Sequence, residues 1–292
     1  NTTGVCNTAI GYTALFSNTT GGFNNAVGAC ALISNTTGTH NAAVGGCALA
    51  KNTTASYNTA VGGCTLYANT TGACNTGVGY KTLVTNTTGH CNTAIGWNAL
   101  YSNNGSQNTA TGINAMGYNT TGGNNTAIGM AALHKNTTGG INTAIGRCVM
   151  ANNTTGCQNV GLGAQTLQYV TTGCGNTASG YAAMLYVCAG ANFNTAHGFK
   201  ALQGASTYTA NYNTAVGACS LFANTTGANN TGVGYKALAA NTCGNCNTAS
   251  GYKSLTSNTT GNYNTGSGWK SMLLNTTGHS NTASGAYALK LN

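Results

Sequence analysis

Four residue types in this chain stand at spacings that suit chemistry. The first is asparagine. Asn-Thr-Thr triplets begin at Asn1, Asn18, Asn35, Asn52, Asn69, Asn86, Asn119, Asn136, Asn153, Asn224, Asn258 and Asn275, and further Asn-x-Ser/Thr triplets begin at Asn104, Asn124, Asn152 and Asn229. Each is an acceptor for an N-linked glycan. Sugars would supply the solubility that a surface with only 3% charged residues lacks. The alternative is a tight turn whose Asn points inward, which leaves no room for a glycan. The sequence leaves both open.

The second is cysteine. Cys30, Cys47 and Cys64 recur every 17 residues, as do Cys74 and Cys91. If successive 17-residue segments stack, such α-carbons lie about 4.8 Å apart, inside the disulfide window of about 4.4–6.8 Å. Bridges between neighbouring segments would suit an extracellular protein; small residues filling a small-residue column are the alternative. Cys74, His90 and Cys91 lack a fourth ligand for a zinc centre. The third is lysine: Lys236, Lys253 and Lys270 share the same 17-residue spacing, which reads as a solvated face or an anion contact. The fourth is a crowd of aromatic residues, Tyr169, Tyr186, Phe193, Phe199, Tyr208 and Tyr212, in the least regular stretch of the chain. They form a candidate contact patch for sugars or protein surfaces. The five histidines are scattered and read as incidental.

Much chemistry is excluded by what is missing. The chain holds no Asp and no Glu, so carboxylate acid–base catalysis, a Ser-His-Asp triad, the two-acid chemistry of glycosidases and carboxylate cages for calcium or magnesium all lack their residues. No catalytic, cofactor-binding or metal-ligating residue is expected, and the chain reads as a non-enzyme. Nine Lys plus Arg in 292 residues are too dilute for a nucleic-acid surface. No apolar run approaches the roughly 20 residues of a membrane helix.

The elements that would position these residues come from a repeat. The first full unit runs from Asn7 to Phe23, and new units open at Asn24, Asn41, Asn58, Asn75, Asn92, Asn108, Asn125, Asn142, Asn159, Asn176, Asn194, Asn213, Asn230, Asn247, Asn264 and Asn281. Numbering each unit from its opening Asn, position 5 is always Gly, position 9 always Leu or Met, and position 3 always Ala or Gly. Units are 17 residues long, except those at Asn92, Asn176 and Asn194 with 16, 18 and 19. The repeat defines a single domain over residues 1–292, with irregular units across 159–212 and a partial last unit over 281–292. Position 12 recurs at Asn1 and Asn292, so the phase of the repeat suits head-to-tail stacking of subunits.

Seventeen residues are too few for a helical hairpin, and the constant Gly with β-branched neighbours opposes a helix. Two short extended segments, Thr-Ala-Ile/Val-Gly and x-Ala-Leu-x-Ser, with an Asn-Thr-Thr-Gly turn predict an all-β fold, a parallel β-solenoid (β-roll or β-helix) of about seventeen 17-residue coils. Stacking makes each position a column. The Asn columns at positions 1 and 12 would form amide ladders. Ile or Val at position 4 and Leu or Met at position 9 would be the sizeable apolar groups, a thin core that lateral association, as in a trimer, would help to cover. Position 4 turns polar near the end, at Ser250, Ser267 and Ser284.

Asn7 to Gly21, with Asn92–Leu100 and Asn247–Gly261, resembles the repeats of trimeric autotransporter adhesin heads and related phage tail-fibre proteins, the unit being longer here than the commonest adhesin-head repeat. The resemblance covers nearly the whole chain. It implies a parallel β-roll, usually trimeric, displayed outside the cell and used for attachment. The expected function is thus an extracellular structural or adhesive fibre, at the cell surface, glycan-coated in one reading, assembling as a homo-oligomer or polymer. Its partners would be further copies, glycans or cell surfaces. The alternative is an ice-binding or carbohydrate-binding solenoid. Against an ice-facing plane, position 2 shares a face with position 4, which is expected inside.

Overall fold

A computed structural model describes residues 1–187, 190–205 and 208–291. The terminal Asn292, one of the two ends matched in repeat phase, lies outside the described residues. The chain comprises two compact units, Asn1–Asn142 and Thr143–Asn292, and the repeat runs through both. Each is a parallel β-solenoid. Unit 1 contains strands β1 (Thr8–Ile10) to β8 (Thr126–Ile128), and unit 2 contains β9 (Thr143–Ile145) to β17 (Thr282–Ser284). Every strand is three residues long, occupying positions 2 to 4. Within each unit it pairs in parallel with the strand of the next coil, Thr8 beside Asn25, Ala9 beside Ala26 and Ile10 beside Val27. The odd-length coils keep this register, with Thr93 beside Thr109, Thr177 beside Thr195 and Thr195 beside Thr214.

The second expected strand is not a strand. Positions 6 to 11 form a stack of turns in which positions 7 and 9 have positive φ, as at Thr13 (53°) and Leu15 (53°). The turns close locally through Ala14 N–H to Gly11 C=O and Phe16 N–H to Thr13 C=O, while Leu15 N–H reaches the Ala31 carbonyl of the next coil. A left-handed non-glycine residue costs about 1–2 kcal/mol, so alternating ones survive only where neighbouring coils fix the same conformation on both sides. Position 5 is glycine for a stronger reason: φ there is 111–135°, a region closed to residues with a β-carbon.

The core corrects the sequence reading in a second way. Position 4 points outward: Ile95 is 42% exposed and Val44 42%. The interior is instead filled by Ala or Gly at position 3, the residue at position 8 and Leu or Met at position 9, as with Ala94, Ala99 and Leu100, all 0% exposed. Three-residue strands turn positions 2 and 4 to one side and position 3 to the other. The space inside takes little more than methyl groups beside the leucine. A β-carbon on Gly77 would lie 2.6 Å from Thr65 Cγ2, one on Gly161 would lie 2.6 Å from Val149 Cγ1, and one on Gly232 would lie 2.6 Å from Ser220 Oγ. Glycine at position 3 thus makes room for a bulkier position 8. The leucine stripe is already buried within each coil and needs no lateral partner.

The two asparagine ladders are as expected. Asn58 Nδ2 donates to the Gly72 carbonyl of its own coil at 3.0 Å, and Asn58 Oδ1 accepts from the backbone N–H of Asn75 at 2.9 Å and from Asn75 Nδ2 at 3.2 Å. The position-12 column repeats the device: Asn69 Nδ2 donates to Asn52 Oδ1 at 2.9 Å and to the same Gly72 carbonyl at 2.9 Å. In the 17-residue coils with Asn at both positions, the position-15 carbonyl therefore joins both ladders. An Asp has no donor to offer either partner and would stack charge on charge, which accounts for the missing acids at these inward columns. Nothing in the structure explains their absence from the outward ones. In the 16-residue coil the turn is one residue short, and Asn104 Oδ1 replaces the lost carbonyl, accepting from Thr87 N–H at 2.7 Å and Thr87 Oγ1 at 2.8 Å.

Candidate interaction surfaces

The Asn-Thr-Thr acceptors sit in the wrong place for sugars. Asn18 is 3% exposed, and Asn35, Asn52, Asn69, Asn86, Asn119, Asn136, Asn153, Asn224, Asn258 and Asn275 are 0% exposed. The amide nitrogen that would carry a glycan is spent on the ladder, as in Asn258 Nδ2 to Asn241 Oδ1 at 2.9 Å. Asn1 is exposed, yet its Nδ2 donates to the Gly4 carbonyl at 2.9 Å. The inward-turn reading holds for the buried eleven, because a glycan there would replace the interior hydrogen bonds of its coil. Acceptor triplets with an exposed Asn instead begin at Asn104, Asn124 and Asn229.

The cysteines stand in register as free thiols: Cys30, Cys47 and Cys64 half-buried, Cys74 and Cys91 exposed. The expected inter-coil disulfides are not formed. In a parallel in-register stack the side chains run side by side, so β-carbons keep the spacing of about 4.8 Å between strands, wider than the mean of about 3.8 Å in a disulfide. The columns tune the thiols. Burial, then the neighbouring Cys30 and Cys64, push Cys47 upward. Cys157 is pushed up to about 11, first by its hydrogen bond with Cys174 and then by burial. Cys243 moves the other way, held down chiefly by hydrogen bonds from the hydroxyls of Thr226 and Thr242. Among the described residues no group of three or more His or Cys is placed to hold a metal ion.

The aromatic patch divides. Tyr208 is 0% exposed. Its hydroxyl donates to Asn194 Oδ1 at 3.0 Å and accepts from Asn213 Nδ2 at 3.0 Å; burial pushes its pKa up, partly offset by the amides of Asn213 and Asn224. With buried Val170 and Val187 it fills the interior where the position-12 asparagines lapse between Asn153 and Asn224. The irregular stretch is thus a change of core. Its outward rings stack in pairs on separate columns: Tyr169 on Tyr186 at 5.4 Å, Tyr181 on Phe199 at 5.8 Å and Phe193 on Tyr212 at 5.5 Å. Tyr169, Tyr181 and Tyr186 line one shallow cavity.

Two other surfaces emerge instead, the first missed by sequence reasoning and the second already visible in its spacing. One is the outer face of the sheet. In unit 1 its position-4 column reads Ile10, Val27, Val44, Val61, Val78, Ile95, Thr111 and Ile128, beside a half-buried position-2 column rich in threonine. The signal for it was the invariant small residue at position 3, which leaves positions 2 and 4 no inside to occupy. The other is the position-7 lysine column of unit 2. Lys236 Nζ lies 5.5 Å from the Tyr235 ring, Lys253 Nζ 5.4 Å from Tyr252 and Lys270 Nζ 4.3 Å from Trp269. The rings themselves stack, Tyr235 on Tyr252 at 5.4 Å and Tyr252 on Trp269 at 6.1 Å. Stacked rings present edges to solvent, so they do not offer sugars a flat platform.

Among the described residues no helix is long and apolar enough to cross a membrane. No protein-family model matches the chain, and no curated protein matches it in sequence.

Proposed function

We propose that this chain is an extracellular structural and adhesive fibre protein, and that the outer sheet face of unit 1 is where copies associate laterally. One observation carries the reading: an outward column of aliphatic side chains, broken only by Thr111, on strands held in strict register and free of charge. Two such faces can pack at the spacing of stacked sheets with their methyl groups interleaved and no buried charge to compensate. The regular interior, satisfied coil by coil, supports a rigid scaffold. The resemblance to adhesin heads and tail fibres supports placement outside the cell and a trimeric state. The test is electron microscopy and sedimentation of the full chain. Filaments or trimers that dissociate on Val61→Lys with Val78→Lys support the reading; a concentration-independent monomer overturns it.

A second reading gains from the same face. Position 2 points outward with position 4, so threonine hydroxyls and aliphatic methyls share one regular plane, the arrangement an ice-binding surface requires. Dilute monomer that shapes ice crystals would favour this reading over the fibre, and unmodified ice growth would remove it.

A further inference from the structure

The lysine column of unit 2 is interrupted once, and the interruption makes a groove. Position 7 is Lys200, then Cys219, then Lys236 in successive coils, so a short thiol sits between two long stems. Across from it, positions 10 and 11 fall from Phe222 and Ala223 to Ala239 and Ala240. The missing bulk leaves a groove of about 550 Å³, within the range of about 300–1,000 Å³ that takes small molecules. Phe199, Phe222, Ala223, Ala239 and Ala240 give it apolar walls, and the stems of Lys200 and Lys236 edge it. Their ammonium groups lean back over rings, Lys200 Nζ 5.3 Å from Phe199 and Lys236 Nζ 5.5 Å from Tyr235. The chain contains no Asp or Glu to pair with them.

We infer that this groove binds an amphiphilic anion, a small molecule with an apolar body and a carboxylate, sulfate or sulfonate head. The body lies against Ala223, Ala239 and Phe222, and the head meets the two lysines at the rim. Charge complementarity selects the class: with no internal carboxylate, the lysines break no ion pair to take an external anion, and an apolar floor disfavours a purely hydrophilic one. The inference goes beyond the fibre reading and does not depend on it.

Anilinonaphthalene sulfonate is the probe, with uncharged phenylnaphthylamine as its control, and the repeat supplies the substitutions. Ala239→Phe puts at position 10 the residue that Phe16 and Phe222 already place there, filling the groove with a side chain the coil accommodates. Lys200→Gln with Lys236→Gln uses the residue that Gln165 places at position 7. Ala239→Phe should weaken both dyes at least about tenfold, and the lysine pair should weaken only the sulfonate, by about tenfold or more, as expected for losing charge-assisted contacts. Unchanged sulfonate binding in either variant, or equal loss of both dyes in the lysine pair, overturns the inference. A measurement on the unaltered chain guards against misfolding: saturating sulfonate should slow alkylation of Cys219 and leave Cys74 unaffected. Equal rates at Cys219 with and without probe also overturn it.

Discussion

The two units carry the same backbone, and their surfaces diverge most in the last coils of unit 2. At position 4, unit 1 shows Ile10, Val44, Val61, Val78 and Ile95, where unit 2 ends in Ser250, Ser267 and Ser284. Position 7 holds the run Cys30, Cys47 and Cys64 early in unit 1, and the run Lys236, Lys253 and Lys270 late in unit 2. Meanwhile the inward positions scarcely change: Asn58 and Asn247 both donate to the position-15 carbonyl of their coil, and Leu100 and Leu255 are both 0% exposed. In a stacked coil, inward columns are constrained by both neighbours, whereas outward columns answer only to solvent or partner. The difference between the units is therefore a difference of outward columns laid over the same inward ones.

The strongest way to break that comparison is to charge the shared interior. Asn58→Asp and Asn247→Asp each remove the donor to Gly72 or Gly261 and place an ion at a site that is 0% exposed. At pH 7 each should cost about 3–5 kcal/mol, with equal effect in both units, read as the shift in urea midpoint. The sign with pH is fixed. Burial raises the folded-state pKa of such an Asp above its unfolded value near 3.9, so the penalty grows as pH rises beyond that value and fades as the solution is acidified toward it. A cost that differs widely between units, or that is independent of pH, would show that the interiors are not equivalent.

Next in size comes the leucine column. Leu100→Ala and Leu255→Ala should each cost about 2–5 kcal/mol through lost burial and a residual cavity. Outward changes at the neighbouring strands, Val61→Ser in unit 1 and Ser250→Val in unit 2, should stay within about 0.5 kcal/mol. If Val61→Ser proved as costly as Leu100→Ala, position 4 would belong to the core after all.

That contrast also shows how far the sequence was legible. The coil, its period and both Asn ladders followed from residue type and spacing, because glycine at position 5 and asparagine at positions 1 and 12 have few physical uses in common. The facing of Ile95 and Val61 did not follow. Aliphatic character argued for burial, yet Ala94 and Ala60 already fill the inside of those strands, and only the backbone shows how narrow that inside is. The turn at positions 6 to 11 was hidden for a related reason: left-handed Leu15 and Thr13 oppose local preference, and neighbouring coils override it. Asn-Thr-Thr carries two meanings, a glycan acceptor and an inward turn, and burial decided between them at Asn35 and its counterparts. The groove beside Cys219 could have been read as a gap in two columns.

The outward comparison is sharpened by moving charge between faces. Val61→Lys with Val78→Lys should abolish lateral association, whereas Ser250→Lys with Ser267→Lys should leave it intact, measured by sedimentation velocity at matched concentration. Both pairs add two cations, so a non-specific effect of net charge would appear equally in each. Association lost in both, or in neither, would remove the special standing of the aliphatic face.

The smallest effect is in the thiols, and it compares the environments that columns create. Burial and then the neighbouring thiols disfavour the thiolate at Cys47 between Cys30 and Cys64, and the hydrogen bond with Cys174 and then burial do so at Cys157. A ring of threonine hydroxyls favours it, as at Cys243. With a pKa of about 11 against the ordinary 9.0, Cys157 holds roughly a hundredfold less thiolate at pH 8 than an unperturbed cysteine, while Cys243 holds more. Higher intrinsic nucleophilicity at higher pKa offsets part of that gap. Timed alkylation with mass-spectrometric readout at pH 8 should therefore label Cys243 first and Cys157 last, with Cys47 slower than Cys74. Raising the pH toward 11 should narrow the interval, because Cys157 then gains thiolate while Cys243 is already ionised. Substituting Cys174 by Ser, which keeps a donor but removes the thiol column, should bring Cys157 forward at pH 8; an unchanged rate would mean that burial alone sets it.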